Sequence, residues 1–237
     1  MAVMSQDVRG TTEREGRSLV LRYLAIVVLT AGVLYALAGR LDWTGGALFC
    51  LVYFSFLAFM LTWSSRCAPD LLQERSRRAE NVKSWDRMLL AVYAVLLLSL
   101  LVVGALDGGR FRWSHVPLPL VCGGAAGFAA VLMWIWWVAS VNRYLSRWAR
   151  IQDDRDHQVV TSGPYRFVRH PMYAAFLPGG VFACFTLESW YALVPAGMIF
   201  LLFIVRTALE DRMLLNELPG YREYAAHVRY RLLPGLW

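Results

Sequence analysis

A chain of 237 residues that is 58% hydrophobic and only 17% charged falls well below the roughly one-quarter charged residues of soluble domains. With a mean hydropathy of +0.44, it is excluded from the ordinary water-soluble enzymes and belongs to the membrane class. The net charge of +7 would suit nucleic acid, but the cations lie between long apolar runs and form no basic domain, so they are read as facing anionic lipid headgroups and no nucleic-acid partner is expected.

Runs of about 20 apolar residues mark candidate transmembrane helices. In chain order they are Leu19 to Ala38, Gly45 to Trp63, Met88 to Leu106, Val116 to Val141, Met172 to Leu187 and Trp190 to Ala208. The fifth is short and interrupted by Pro178-Gly179-Gly180, and only Glu188 and Ser189 part it from the sixth, so these two read as a tight helical hairpin. The expected fold is therefore an all-α integral membrane protein with about six transmembrane segments, or five plus a short hairpin. Residues 1–149 form the four N-terminal spans, and residues 150–237 a C-terminal region carrying a cofactor site on the cytoplasmic side.

Charge tests this arrangement separately from hydropathy. With the N-terminus inside, 21 of the 24 Lys and Arg fall on one side, leaving only Arg40, Arg110 and Arg112 outside, as the positive-inside rule requires. Both termini are expected to be cytoplasmic. The polar stretch from Ser64 to Asp86 is expected to form a short helix on the inner surface. Trp134, Trp136, Trp137 and Trp148 approach the inner end of the fourth span, where an aromatic belt belongs. Cys50, Cys67, Cys122 and Cys184 show no CxxC or Cys/His spacing, so neither a disulfide nor a metal site is expected.

Polar residues concentrate from Arg150 to Tyr173 and again from Arg206 to Trp237, two stretches that share the inner face and are free to converge on one ligand. The first holds Gln152, His157, the extended-looking Gln158-Val159-Val160-Thr161, a Ser162-Gly163-Pro164 turn and Tyr165, and ends in Arg169-His170-Pro171-Met172-Tyr173. Pro171 suits the first turn of a helix, where a missing N–H costs nothing, so His170 stands where a helix begins. Tyr165 and Tyr173 offer flat faces for a heterocycle. In the second stretch Arg206 and Glu210 share a helix face. Arg before Glu is the weaker orientation for a purely structural pair, and ionisable groups at this depth usually face a bundle interior or cavity.

His157-Gln-Val-Val-Thr-Ser-Gly-Pro-Tyr165, Arg169-His-Pro-Met-Tyr173, Arg206-x-x-x-Glu210 and Gly220-Tyr-x-x-Tyr224 before Pro234 together resemble the isoprenylcysteine carboxyl methyltransferase family and its bacterial and phospholipid methyltransferase relatives. The resemblance runs from about Gln152 to Trp237 and leaves the first four spans unmatched. It implies an S-adenosylmethionine-dependent methyltransferase. Cofactor contacts are implied for Gln152, His157, Gln158, Val159, Val160, Tyr165, His170, Pro171, Met172, Tyr173 and Glu210. Arg206 is implied to face the substrate, which makes Arg206 and Glu210 the expected catalytic pair. Asp211 stands where the family often has a second glutamate.

The implied partners are a lipophilic acceptor and membrane lipids; the oligomeric state is not fixed. The acceptor is a prenylated cysteine-like or isoprenoid carboxylate, or a lipid headgroup. One lysine against 23 arginines in a compact chain fits a bacterial inner-membrane protein. Pro178, Gly179 and Gly180 are expected to hold the hairpin open as a lipid-facing access route. The alternatives are an NADPH-dependent sterol-reductase-like enzyme, with Arg166 and Arg169 meeting the extra phosphate, and a transporter or scaffold without catalytic activity.

Overall fold

The computed structural model describes residues 20–69, 71 and 82–237 fully and residues 2–19 by their backbone. Every regular element among the described residues is helical. The long helices are α1 (Ala2–Ala38), α2 (Thr44–Cys67), α3 (Ser84–Gly104, prolonged by a π-helical turn, Ala105–Phe111) and α4 (Leu118–Val141). After a segment with two 3₁₀ turns come α5 (Pro171–Ala174), α6 (Phe176–Thr186), α7 (Leu193–Glu217) and α8 (Tyr221–His227).

Five stretches, Val20–Ala38, Thr44–Cys67, Ser84–Phe111, Leu118–Val141 and Leu193–Glu217, are long and apolar enough to cross a membrane. Their outward faces are apolar, with Leu21, Val28, Leu51, Val95 and Leu201 all more than half exposed. Such surfaces are costly in water and cost nothing in hydrocarbon. The chain is an integral membrane protein.

The fifth expected run, Met172 to Leu187, is the apolar segment Pro171–Thr186, shorter than the others. Its position explains its length. Trp134 of α4 donates its indole N–H to the Pro171 carbonyl at 2.9 Å, so α5 begins two turns, or about 10 Å, short of the end of α4. Its other end reaches the opposite pole of the bundle, where α1 meets α2 and α3 meets α4. There Glu188 accepts the Gly45 N–H at 2.7 Å, and Ser189 Oγ donates to Asp107 at 2.6 Å. Asp107, wholly buried in the π-helical turn, also accepts the Ser114 N–H and hydroxyl at 2.7 and 2.6 Å. A buried carboxylate satisfied in this way ties the hairpin tip to the α3–α4 connection.

Tight packing sets the hairpin's place. A Cβ at Gly127 would lie 2.6 Å from the Phe182 ring, and one at Gly124 would lie 2.8 Å from Phe185 Cβ, so α4 and α6 approach through small residues as membrane helices commonly do. The access route expected at Pro178-Gly179-Gly180 is not found. Gly179 faces Val131 and Gly180 faces Ala196, with would-be Cβ contacts of 3.1 and 3.3 Å, so these glycines close the hairpin against α4 and α7. Helix α7 packs on α3 and α6, and α2 on α4; the helices of the N-terminal and C-terminal regions are interleaved. The surface helix expected between Ser64 and Asp86 falls largely on residues 72–81, outside those described.

Candidate active site

Because α5 starts below the end of α4, the polar segment 142–170 folds over the space left above it. Gly163 makes the bend possible: its φ of +57° is left-handed, and a Cβ there would press on Val141 at 3.0 Å. Tyr165 is fixed from two sides, its hydroxyl taking a hydrogen bond from Asn142 Nδ2 at 2.6 Å and its carbonyl one from the Tyr224 hydroxyl at 2.7 Å. The chain's last segment completes the cover, since the N–H groups of Arg169 and His170 donate to the carbonyls of Tyr230 and Arg231, both at 2.9 Å.

Under this cover lies a cavity of about 400 Å³, within the size range of small-molecule sites. All twelve residues singled out from the sequence line it: Gln152, His157, Gln158, Val159, Val160, Tyr165, His170, Pro171, Met172, Tyr173, Arg206 and Glu210. Leu90, Tyr93, Phe176 and Phe203 line it too, giving it an aromatic, apolar part between α3, α6 and α7. Trp148, assigned from sequence to the interfacial belt, is also on its wall.

The two adjacent carboxylates of α7 differ in circumstance. Asp211 is 1% exposed and fully engaged: Tyr221 Oη (2.9 Å), Arg231 Nε (2.8 Å), Arg169 Nη1 (3.1 Å) and His170 Nε2 (3.3 Å) surround it. It organises the wall and holds His170 in place. Glu210 accepts one hydrogen bond, from the Tyr173 hydroxyl on its Oε2, and faces the cavity it lines. The Tyr173 ring lies parallel to His170, 5.7 Å between centroids, and under the Arg206 guanidinium at 5.1 Å. His170, Tyr173, Arg206 and Glu210 thus form one connected group.

Arg206 does not form the ion pair with Glu210 that helical spacing suggests. Its Nε donates to Asp86 Oδ1 at 2.8 Å, and its Nη2 to the Arg147 carbonyl at 2.8 Å. Asp86 comes from the first turn of α3, far away in sequence, where the polar stretch that begins at Ser64 ends. The one available signal was an acid at the very start of an apolar run.

Gln152 is buried, and its amide is committed: it donates to the Tyr144 carbonyl and accepts from Arg155 at 2.8 Å. That arrangement shapes the 144–157 turn more than it offers a polar group to a ligand. His157 packs on Tyr144, 4.7 Å between ring centroids, and its Nδ1 takes the Gln152 N–H at 3.4 Å, which sets the proton of the neutral ring on Nε2. Burial first, and then the Arg150 and Arg155 cations, lower its pKa to about 4, so it is neutral at pH 7. Burial likewise raises the Tyr165, Tyr221 and Tyr224 hydroxyls, which remain protonated and able to donate.

Residues 125–216 match the model of the isoprenylcysteine carboxyl methyltransferase (ICMT) family. The family resemblance is borne out. No curated protein matches the chain. The ICMT match spans α4 to nearly the end of α7 and so includes both α7 carboxylates and Arg206, while Asp86 and the α8 tyrosines lie beyond it. The match covers less than half of the chain, which is thus similar in this region to methyltransferases whose methyl donor is S-adenosylmethionine.

The donor set suits that molecule. Flat tyrosine faces and the Val159, Val160 and Met172 side chains suit an adenine, Glu210 suits a ribose hydroxyl or ammonium group, and aromatic rings favour a nearby cation.

Proposed function

We propose that the chain transfers a methyl group from S-adenosylmethionine to a lipophilic carboxylate acceptor, at the cytoplasmic interface of a bacterial inner membrane. The observation that carries this reading is the convergence of the twelve residues implied by the resemblance, from three stretches of the chain, on one cavity that is polar on the Glu210 side and aromatic between α3, α6 and α7. When bound, S-adenosylmethionine supplies an electrophilic methyl on a sulfonium: an acceptor oxygen forms the O–C bond as the C–S pair returns to sulfur, giving a methyl ester with no proton to move.

The chain's own residues then need to hold and exclude. His157 to Val160, Tyr165 and the His170–Tyr173 wall hold the donor, with Glu210 taking its polar groups. Arg206 orients the acceptor carboxylate, whose chain lies along Leu90, Tyr93, Phe176 and Phe203. Segment 142–170 keeps bulk water away, so much of the rate comes from contact geometry. An amine acceptor would need a proton acceptor as well, and of the two α7 carboxylates only Glu210 retains capacity for that, since Asp211 is saturated.

An NADPH site is disfavoured by the arginines it requires. Arg169 is held by Asp211 and the Arg229 carbonyl, and Arg166 is exposed and off the cavity. The test is calorimetric titration of the detergent-purified protein with S-adenosylmethionine, S-adenosylhomocysteine and NADPH, with Glu210→Ala as control. Micromolar binding of the adenosyl ligands, weakened at least tenfold or so by loss of a charge-assisted contact, is expected. Binding of NADPH alone would reassign the protein to the reductases, and binding of none would revive a transporter or scaffold.

A further inference from the structure

We propose that Asp86 is a positioning residue for the methyl acceptor: it holds the Nε edge of the Arg206 guanidinium and offsets part of its charge, so that the acceptor carboxylate meets a fixed, partly compensated cation and stays reactive. The inference rests on the methyltransferase reading above, which sets Arg206 against the acceptor; Asp86 itself lies outside the family match, which begins at residue 125.

Three observations support it. Asp86 is completely buried, and both its oxygens accept: Oδ1 from Arg206 Nε and Oδ2 from the Ala149 N–H, each at 2.8 Å. With Arg206 Nη2 on the Arg147 carbonyl, a closed ring of hydrogen bonds joins α3, α7 and the segment 147–149. Loss of Asp86 removes two of its three hydrogen bonds and releases the Nε edge of the guanidinium. Secondly, this ring uses the Nε N–H and one of the two Nη2 N–H groups, so the Nε edge of the fork is taken and the donors left for a ligand are those of Nη1 and the second of Nη2, on a side chain that lines the cavity. Thirdly, the Tyr173 and Phe203 rings, 5.1 and 5.8 Å from the guanidinium carbon, limit its tilt.

The chemical consequence concerns grip. A free guanidinium takes a carboxylate through two parallel N–H bonds, which lowers the energy of the ground-state anion and with it the nucleophilicity of both oxygens. Methyl transfer consumes that negative charge, so a hold that is strongest before reaction raises the barrier. Asp86 occupies the Nε edge of the fork and offsets part of its charge, leaving the acceptor a weaker hold and a more reactive oxygen. Asp86→Asn removes the charge, and an amide cannot accept from both Arg206 Nε and the Ala149 N–H without turning its NH₂ toward one of those donors.

The experiment measures binding in lipid nanodiscs with S-adenosylhomocysteine present, using a farnesyl thioether carboxylate and its primary carboxamide. Wild type is expected to prefer the carboxylate by about tenfold, the scale of one charge-assisted hydrogen bond. In Asp86→Asn that preference is expected to widen by a further factor of about five as the compensating charge is lost and the Nε edge is released, while turnover of the carboxylate falls. A variant that binds S-adenosylhomocysteine normally and keeps the wild-type ratio within about twofold overturns the proposal, as does a wild type without carboxylate preference.

If Asp86→Asn no longer binds S-adenosylhomocysteine, Asp86→Glu decides: it keeps the charge but displaces it by one methylene, and a changed ratio supports the role while an unchanged one overturns it. Failure of wild type to bind S-adenosylhomocysteine at all is a different result, and it overturns the methyltransferase reading along with the proposal.

Discussion

His157 shows how a single side chain couples the site to pH. Its imidazole packs on Tyr144 beside Arg150 and Arg155, and its folded pKa of about 4 lies below the ordinary 6.5. The unfolded chain therefore binds a proton there between those values while the folded chain does not. Its contribution to stability is complete above pH 6.5 and is lost as pH falls toward about 4. Thermal unfolding followed from pH 7.5 to pH 5 should show a falling midpoint, and His157→Gln should flatten that fall; equal slopes would mean that the ring titrates normally. Adjacent positions need not behave alike. Asp211 is a structural anchor for Arg231, Tyr221 and His170, and Glu210, one residue away, presents its carboxylate to the cavity.

Among the helices, the contact of α4 with α6 decides where the cavity can exist. Gly124 and Gly127 let α6 lie close, and α5 leads directly into α6, so a shift of α6 carries Met172 and Tyr173 with it. Gly127→Leu is expected to cost about 1–3 kcal/mol through overpacking against Phe182 and to weaken S-adenosylhomocysteine binding. Gly123→Leu is the control, because nothing lies within 4 Å of a Cβ there. A thermal midpoint for Gly127→Leu equal to that of Gly123→Leu would show that α6 can retreat without loss. The hairpin itself was legible as two apolar runs with a two-residue break. That its glycines pack inward, when sequence suggested an opening, was not, because a glycine pair reads the same whether it makes a gap or fills one.

For the whole molecule, the arginine bias predicts both termini on the cytoplasmic side, which requires the short Pro171–Thr186 segment to act as a crossing. Its ends support this: one is bonded to Trp134 near the site, the other to Gly45 and Asp107 at the opposite pole. In a background free of the four native cysteines, His115→Cys should react with a membrane-impermeant maleimide in intact cells, and Arg222→Cys only after permeabilisation. Labelling of both in intact cells would mean that Pro171–Thr186 does not cross.

The sequence by itself determined the membrane class, the approximate spans and the twelve residues that line the cavity, since hydropathy runs and short motifs are local properties. It missed Asp86 as the partner of Arg206, Asp107 as the anchor of the hairpin tip, and the saturation of Asp211. Each of these depends on groups brought together from far along the chain, 120 positions for Asp86 and Arg206. A buried charge takes whichever partner the packing of helices sets beside it, and helical spacing offered Glu210 as the near one; only the approach of α3 to α7 made Asp86 the actual one.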